Sequence, residues 1–97
     1  MIFSVTSLDK PNALELRLAT RPSHIEYLDS QVEAIIIGGP LLDADGKPCG
    51  SQLLIEAADE AAAAAFAAAD PYAKAGLFAS VTIKPFRMVF KDGVRVG

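Results

Sequence analysis

The chain has 97 residues, which is enough for one domain around a single core and too few for two. Hydrophobic residues make up 52% and charged residues 22%, which excludes disorder and is apolar for so short a chain. The net charge is −3 with basic residues scattered and no apolar run near the roughly 20 residues of a membrane helix, so neither nucleic acid nor a membrane is an expected partner.

In chain order, "IFSVTSL" (2–8) is β-branched and partly alternating and predicts a strand. The opening "MIFSVTSLDKPN" lacks the basic region of a signal peptide, so the expected location is the cytoplasm. Asp9 precedes Lys10 and Pro11, and proline suits a first helical turn because its missing N–H would be unpaired there anyway. The helix formers of "NALELRLA" follow, and Pro22 predicts a break near Thr20–Arg21 with a second helix restarting at Pro22. That second helix carries Ile25, Leu28 and Val32 as an apolar stripe; one kinked helix is the alternative. "AIIIGGP" (34–40) reads as a strand and "LLDADGKPCG" (41–50) as a loop turning at Asp45-Gly46. "SQLLIEA" (51–57) is the third strand. "DEAAAAAFAAA" (59–69) is a slim helix capped by Asp59, with Phe66 as its one large anchor. "SVTIKPF" (80–86) is the last main strand, and in the tail from about residue 88 Asp92-Gly93 can turn a small hairpin.

The order β-α-β-β-α-β predicts a single α+β domain over residues 1–97, with a four-stranded antiparallel sheet and helices on one face. Ile35, Ile36 and Ile37 are consecutive, as are Leu53, Leu54 and Ile55, and neighbouring strand residues point to opposite faces. Both faces then read as apolar. The expectation is a homodimer in which two sheets pack face to face, with pockets at the mouths.

Chemistry-bearing residues are few. Cys49 is the only cysteine and His24 the only histidine, so no disulfide within the chain and no metal site is expected. Asp70 opens "DPYAKAG", where it can cap a short helix that has Pro71 at its first position and ends at Gly76. A capping carboxylate still has a second oxygen, so capping alone and capping plus chemistry both stand. His24 reads either as a half-exposed surface histidine or, in the first turn of a helix starting at Pro22, as a neutral general base. Arg21 at the same entrance is either a solvated charge or a fork for an anionic group. The hydroxyls of Ser51 and Tyr72 are candidate substrate contacts rather than nucleophiles. Gly38, Gly39 and Pro40 match no phosphate loop and end a strand, although glycine also lets a ligand approach the backbone.

Taken together, "RLATRPSHIEYL", "GGPLLD", Gly50-Ser51 and "DPYAKAGLFASVTIKPF" resemble the YciI-like (YCII-related) proteins, in order and spacing, over residues 1 to about 90. The resemblance implies a ferredoxin-like dimeric α/β barrel. It also implies an active site that pairs His24 with Asp70, with Arg21 nearby and Gly39, Pro40 and Ser51 beside the pocket. Some members of that family remove chloride from chlorinated hydroxyquinols, and most have no assigned reaction.

Three functions are consistent with these residues. The first is a cofactor-free enzyme in which His24 moves a proton, Asp70 steadies the imidazolium and Arg21 receives negative charge, on a small polar or cyclic metabolite, by elimination or isomerisation. The second is a non-catalytic small-molecule-binding or accessory module using the same pocket. The third is a structural dimer in which the His–Asp contact serves the fold.

Overall fold

The computed structural model describes residues 1–97. Strand β1 (Ile2–Asp9) leads through a turn into helix α1 (Leu14–Asp29), and β2 (Ile35–Leu42) and β3 (Pro48–Glu56) form a hairpin. Helix α2 (Glu60–Ala68) and the short α3 (Pro71–Lys74) precede β4 (Phe78–Pro85), and the tail carries β5 (Phe90–Lys91) and β6 (Val94–Arg95). The main sheet is antiparallel in the order β2-β3-β1-β4, and β5 and β6 form a separate two-stranded ribbon. Asp92 and Gly93 both adopt positive φ, as the tight turn of that ribbon requires.

One sheet face carries the core. Phe3 and Val5 of β1 and Leu53 and Ile55 of β3 pack with Ala63 and Phe66 of α2. Ala63 is fully buried, so α2 lies close to the sheet because it presents a methyl group there. Asp59 caps α2 by accepting from Ala62 N at 2.8 Å. Helix α1 packs chiefly on α3, which leaves room between α1 and the β2–β3 hairpin.

The fold is α+β, but the expected barrel is not present: both sheets are open and neither closes on itself or on the other. The two apolar triplets had suggested a second apolar face. In the register observed, Leu53 and Ile55 point to the core, while Leu54 shares the bare face with Gln52. A register shift between Ile35 and Ile37 absorbs Ile36. The centre of the bare face is polar: Thr6 Oγ1 donates to Gln52 Oε1, and Gln52 Nε2 donates to Ser4 Oγ at 2.8 Å.

The expected helix break is also absent. Helix α1 runs through Pro22 without interruption. Pro22 and Leu18 are both exposed, so the Leu18 carbonyl that loses its donor is left where water can reach it. Nor does Pro11 begin the helix: Asn12 takes a positive φ in the connecting turn, and α1 starts at Leu14 with no side-chain cap. The expected loop over 41–50 shrinks to residues 43–47, since both strands of the hairpin extend into it. There Asp43 Oδ1 accepts from the backbone N–H groups of Asp45 and Lys47.

Candidate functional site

The unbroken helix determines the site. Positions 17, 21, 24 and 28 follow a helical repeat, so Arg17, Arg21, His24 and Leu28 line one face of α1. That face looks across a cavity of about 300 Å³ toward Gly38, Gly39, Pro40, Pro48, Ser51 and Leu53, with Tyr72 also on its wall. A Cβ at Gly38 would collide with the Leu53 side chain, so glycine is what allows β2 and Leu53 to meet on this wall.

Asp70 stands behind the wall. It is the N-cap of α3, with Oδ1 accepting from Tyr72 N at 2.9 Å. The same carboxylate receives His24 Nδ1–H at 2.9 Å to Oδ1 and 3.0 Å to Oδ2. A carboxylate has no proton to give, so Nδ1 carries the hydrogen and the lone pair of the neutral ring lies on Nε2. Nε2 has no partner in the chain, yet no buried side-chain nitrogen or oxygen is left unpartnered. It therefore reaches accessible space on the cavity side. His24 is only 8% exposed, which answers whether it is a surface histidine; it is not. It sits deep inside α1, so the helix-terminus field expected from a start at Pro22 does not act on it.

Tyr72 is almost wholly buried, and its ring stacks on the imidazole with centroids 3.9 Å apart and planes 18° apart. Tyr72 also lines the cavity, and the Arg17 guanidinium lies near its hydroxyl. Burial pushes the Tyr72 phenol above its ordinary range and Asp70 adds to this, against opposing pulls from Arg17 and Arg21. The phenol is therefore a hydrogen-bond donor at neutral pH.

Sequence reasoning missed Arg17 and Asp9. Arg17 is 3% exposed and bonds Asp9 in a fork, Nε to Oδ2 at 2.7 Å and Nη2 to Oδ1 at 3.0 Å. Nη2 also donates to Ser51 Oγ at 2.8 Å. Burial alone would lower the guanidinium, but Asp9 outweighs it and holds Arg17 above its ordinary value. The guanidinium lies over the Tyr72 ring, 4.5 Å from its centroid. The available signal was an arginine at the helical spacing of Arg21 and His24; the expected break at Pro22 hid it.

Of the candidate residues, Arg21, His24, Gly39, Pro40, Ser51 and Tyr72 all line the cavity, and Asp70 contacts it through His24. Arg21 pairs with no carboxylate and is the free cation of the wall. Ser51 is occupied as the acceptor of Arg17. No cluster of His, Cys, Asp and Glu suited to a metal is present.

The YCII-related domain matches residues 1–87. The chain is 34% identical over 98 residues to Protein YciI of Escherichia coli, covering 93% of this chain and 100% of that protein. An uncharacterised protein of Haemophilus influenzae is 35% identical over 99 residues with the same coverage. Among solved structures, 5-chloro-2-hydroxyhydroquinone dehydrochlorinase from Burkholderia phenoliruptrix, in complex with 2,5-dihydroxybenzoquinone, is similar with a TM-score of 0.85 and 33% identity, over 90% of this chain and 94% of that one. An antibiotic biosynthesis monooxygenase is similar in fold alone, with a TM-score of 0.52 and 16% identity over 90% of this chain and 99% of that one.

Proposed function

The chain belongs to the YCII-related family, and on that premise we propose that it is a cofactor-free acid–base enzyme acting on a small polar or cyclic metabolite by elimination or isomerisation. The observation that carries this reading is the one-sided His24–Asp70 pair, in which Nδ1 is held by the carboxylate and Nε2 is free toward a cavity. Nε2 takes a proton from a carbon or hydroxyl of the substrate. The electron pair left behind forms the new double bond, and in an elimination the leaving group departs with its own pair. Asp70 stabilises the imidazolium, which then returns its proton to the leaving group or, in an isomerisation, to a second substrate atom. Negative charge on a substrate oxygen meets the Arg21 guanidinium and the Tyr72 hydroxyl, with Gly39, Pro40 and Ser51 shaping the opposite wall.

Two further facts support this reading. A dehydrochlorinase at 33% identity performs an elimination. The cavity, at about 300 Å³, is at the small end of ligand sites and suits a single ring. The proposal includes a homodimer, supported by exposed Ile37, Leu42, Phe90 and Val94; a monomer by sedimentation at micromolar concentration would remove that part.

The test is a mass-spectrometric screen of a metabolite mixture incubated with the protein. A compound consumed by the wild type and untouched by His24→Gln supports the enzyme. A compound retained equally by both and never converted would instead make the protein a binding module.

A further inference from the structure

Asp9, Arg17, Tyr72, His24 and Asp70 form one continuous series: carboxylate, guanidinium, phenol ring, imidazole, carboxylate. The imidazole stacks on the ring at 3.9 Å and the guanidinium carbon lies 4.5 Å from the same centroid, so both pack against Tyr72. Asp70 also holds the backbone N–H of Tyr72, so neither the ring nor the base can shift without the other.

We propose that Arg17, fixed by Asp9, is a positioning residue for His24: it packs on the ring that orients the imidazole, and the balance between its charge and that of Asp9 sets the field at the base. This rests on the reading of His24 as the base of the site. With both groups against one ring, the guanidinium carbon is at most about 8 Å from the imidazole centroid, a separation at which a partly desolvated charge moves a titration by about one pH unit. In the wild type Asp9 offsets most of that field, so the pair tunes the base through the balance of its two charges. The other charged or titratable groups facing His24 are Asp70 and Tyr72 from α3 and its cap, and Arg21 from α1 itself. Tyr27, on the same helix, is occupied as a donor to the Phe66 carbonyl. The β2–β3 wall contributes no titratable side chain, since its cavity residues are Gly38, Gly39, Pro40, Pro48, Ser51 and Leu53.

The experiment is an NMR titration of the His24 ring, which gives a single assignable curve because the chain has one histidine. It needs no substrate, so it succeeds or fails independently of any turnover. Asp9→Asn leaves the guanidinium uncompensated and is expected to lower the His24 midpoint by about one pH unit. Arg17→Met leaves the carboxylate uncompensated and is expected to raise it. Asp9→Asn combined with Arg17→Met removes both charges and is expected to return the midpoint close to the wild type. Loss of packing alone would shift both single variants the same way. Shifts of the same sign, or no shift in Asp9→Asn, would overturn the proposal. If Arg17→Met does not fold, the comparison of Asp9→Asn with the double variant decides: equal midpoints there would show that Arg17 is not the source.

Discussion

Two carboxylate pairs, one with a guanidinium and one with an imidazole, pack against the ring of Tyr72, and they are buried to a similar degree. Side-chain exposure is 4% and 6% for Arg17 and Asp9, and 10% and 7% for His24 and Asp70. In the first pair the guanidinium is permanently charged, its fork is filled by Asp9, and Ser51 takes a further donor. In the second, one ring nitrogen is held and the other, able to accept a proton, faces the cavity. Burial and pairing therefore do not separate a structural ion pair from the one proposed to react. What separates them is an unsatisfied valence on the accessible side.

The largest expected effect breaks the reactive pair chemically while sparing its geometry. His24→Gln keeps an amide N–H for Asp70 but has no titratable nitrogen. Steady-state turnover of the substrate found by screening is expected to fall by roughly 10²–10⁴-fold, with an unchanged circular dichroism spectrum. The closed pair should behave in the opposite way. Asp9→Ala leaves the Arg17 charge buried without its partner, and urea unfolding is expected to show a loss of about 3–5 kcal/mol. If Asp9→Ala were harmless to stability and His24→Gln ruinous, the division between the pairs would be reversed.

How much of this was legible in the sequence depends on range. Local chemistry was readable: Asp59 before the alanine run, Asp70-Pro71 before a short helix, and Asp92-Gly93 in the tail act as their neighbours predict. Pro22 misled because a proline forbids a hydrogen bond, not a helix, and on a solvated face of α1 that loss is tolerable. Counting the sheet's apolar residues misled for a different reason. The polarity of the bare face comes from Ser4, Thr6 and Gln52 meeting across β1 and β3, which only the register determines. The contact between Asp9 and Arg17 depends on the turn with Asn12 at positive φ that brings α1 back along the end of β1. No spacing rule encodes that turn. His24 and Asp70 could be paired beforehand only through the family resemblance, since the fold alone brings them together across 46 positions of the chain.

A smaller effect separates the two duties of Asp70. Asn is also a good N-cap, so Asp70→Asn should melt close to the wild type, while Asp70→Ala should lose about 0.5–2 kcal/mol from the uncapped α3. On the reactive side, the amide of Asp70→Asn can still accept the Nδ1–H bond through its oxygen but does not stabilise imidazolium as a carboxylate does. Slow turnover is expected in Asp70→Asn, measured on the same substrate. Equal losses of stability in both variants would mean that the charge itself serves the fold.

The smallest effect concerns the ring that both pairs touch. Tyr27 and Tyr72 are the only tyrosines, and both phenols are held above their ordinary value. Burial is the main cause for each, with Asp70 adding to both, while Arg17 and Arg21 pull Tyr72 the other way. A phenol whose folded value exceeds its unfolded value of about 10 favours the fold fully below that pH and loses its contribution as pH rises through the folded value. Melting temperature is therefore expected to be indifferent to these two groups at neutral pH and to fall above about pH 10, less steeply in Tyr27→Phe and Tyr72→Phe. In near-ultraviolet absorbance, neither phenolate should appear at its ordinary position until the fold gives way. The two pairs should then show themselves by sign. Asp70→Asn removes a charge that raises Tyr72 and should bring its step to lower pH; Arg17→Met removes one that lowers it and should send the step higher. A Tyr72 step that ignored both substitutions would mean that the ring is packed against the two pairs without feeling their charge.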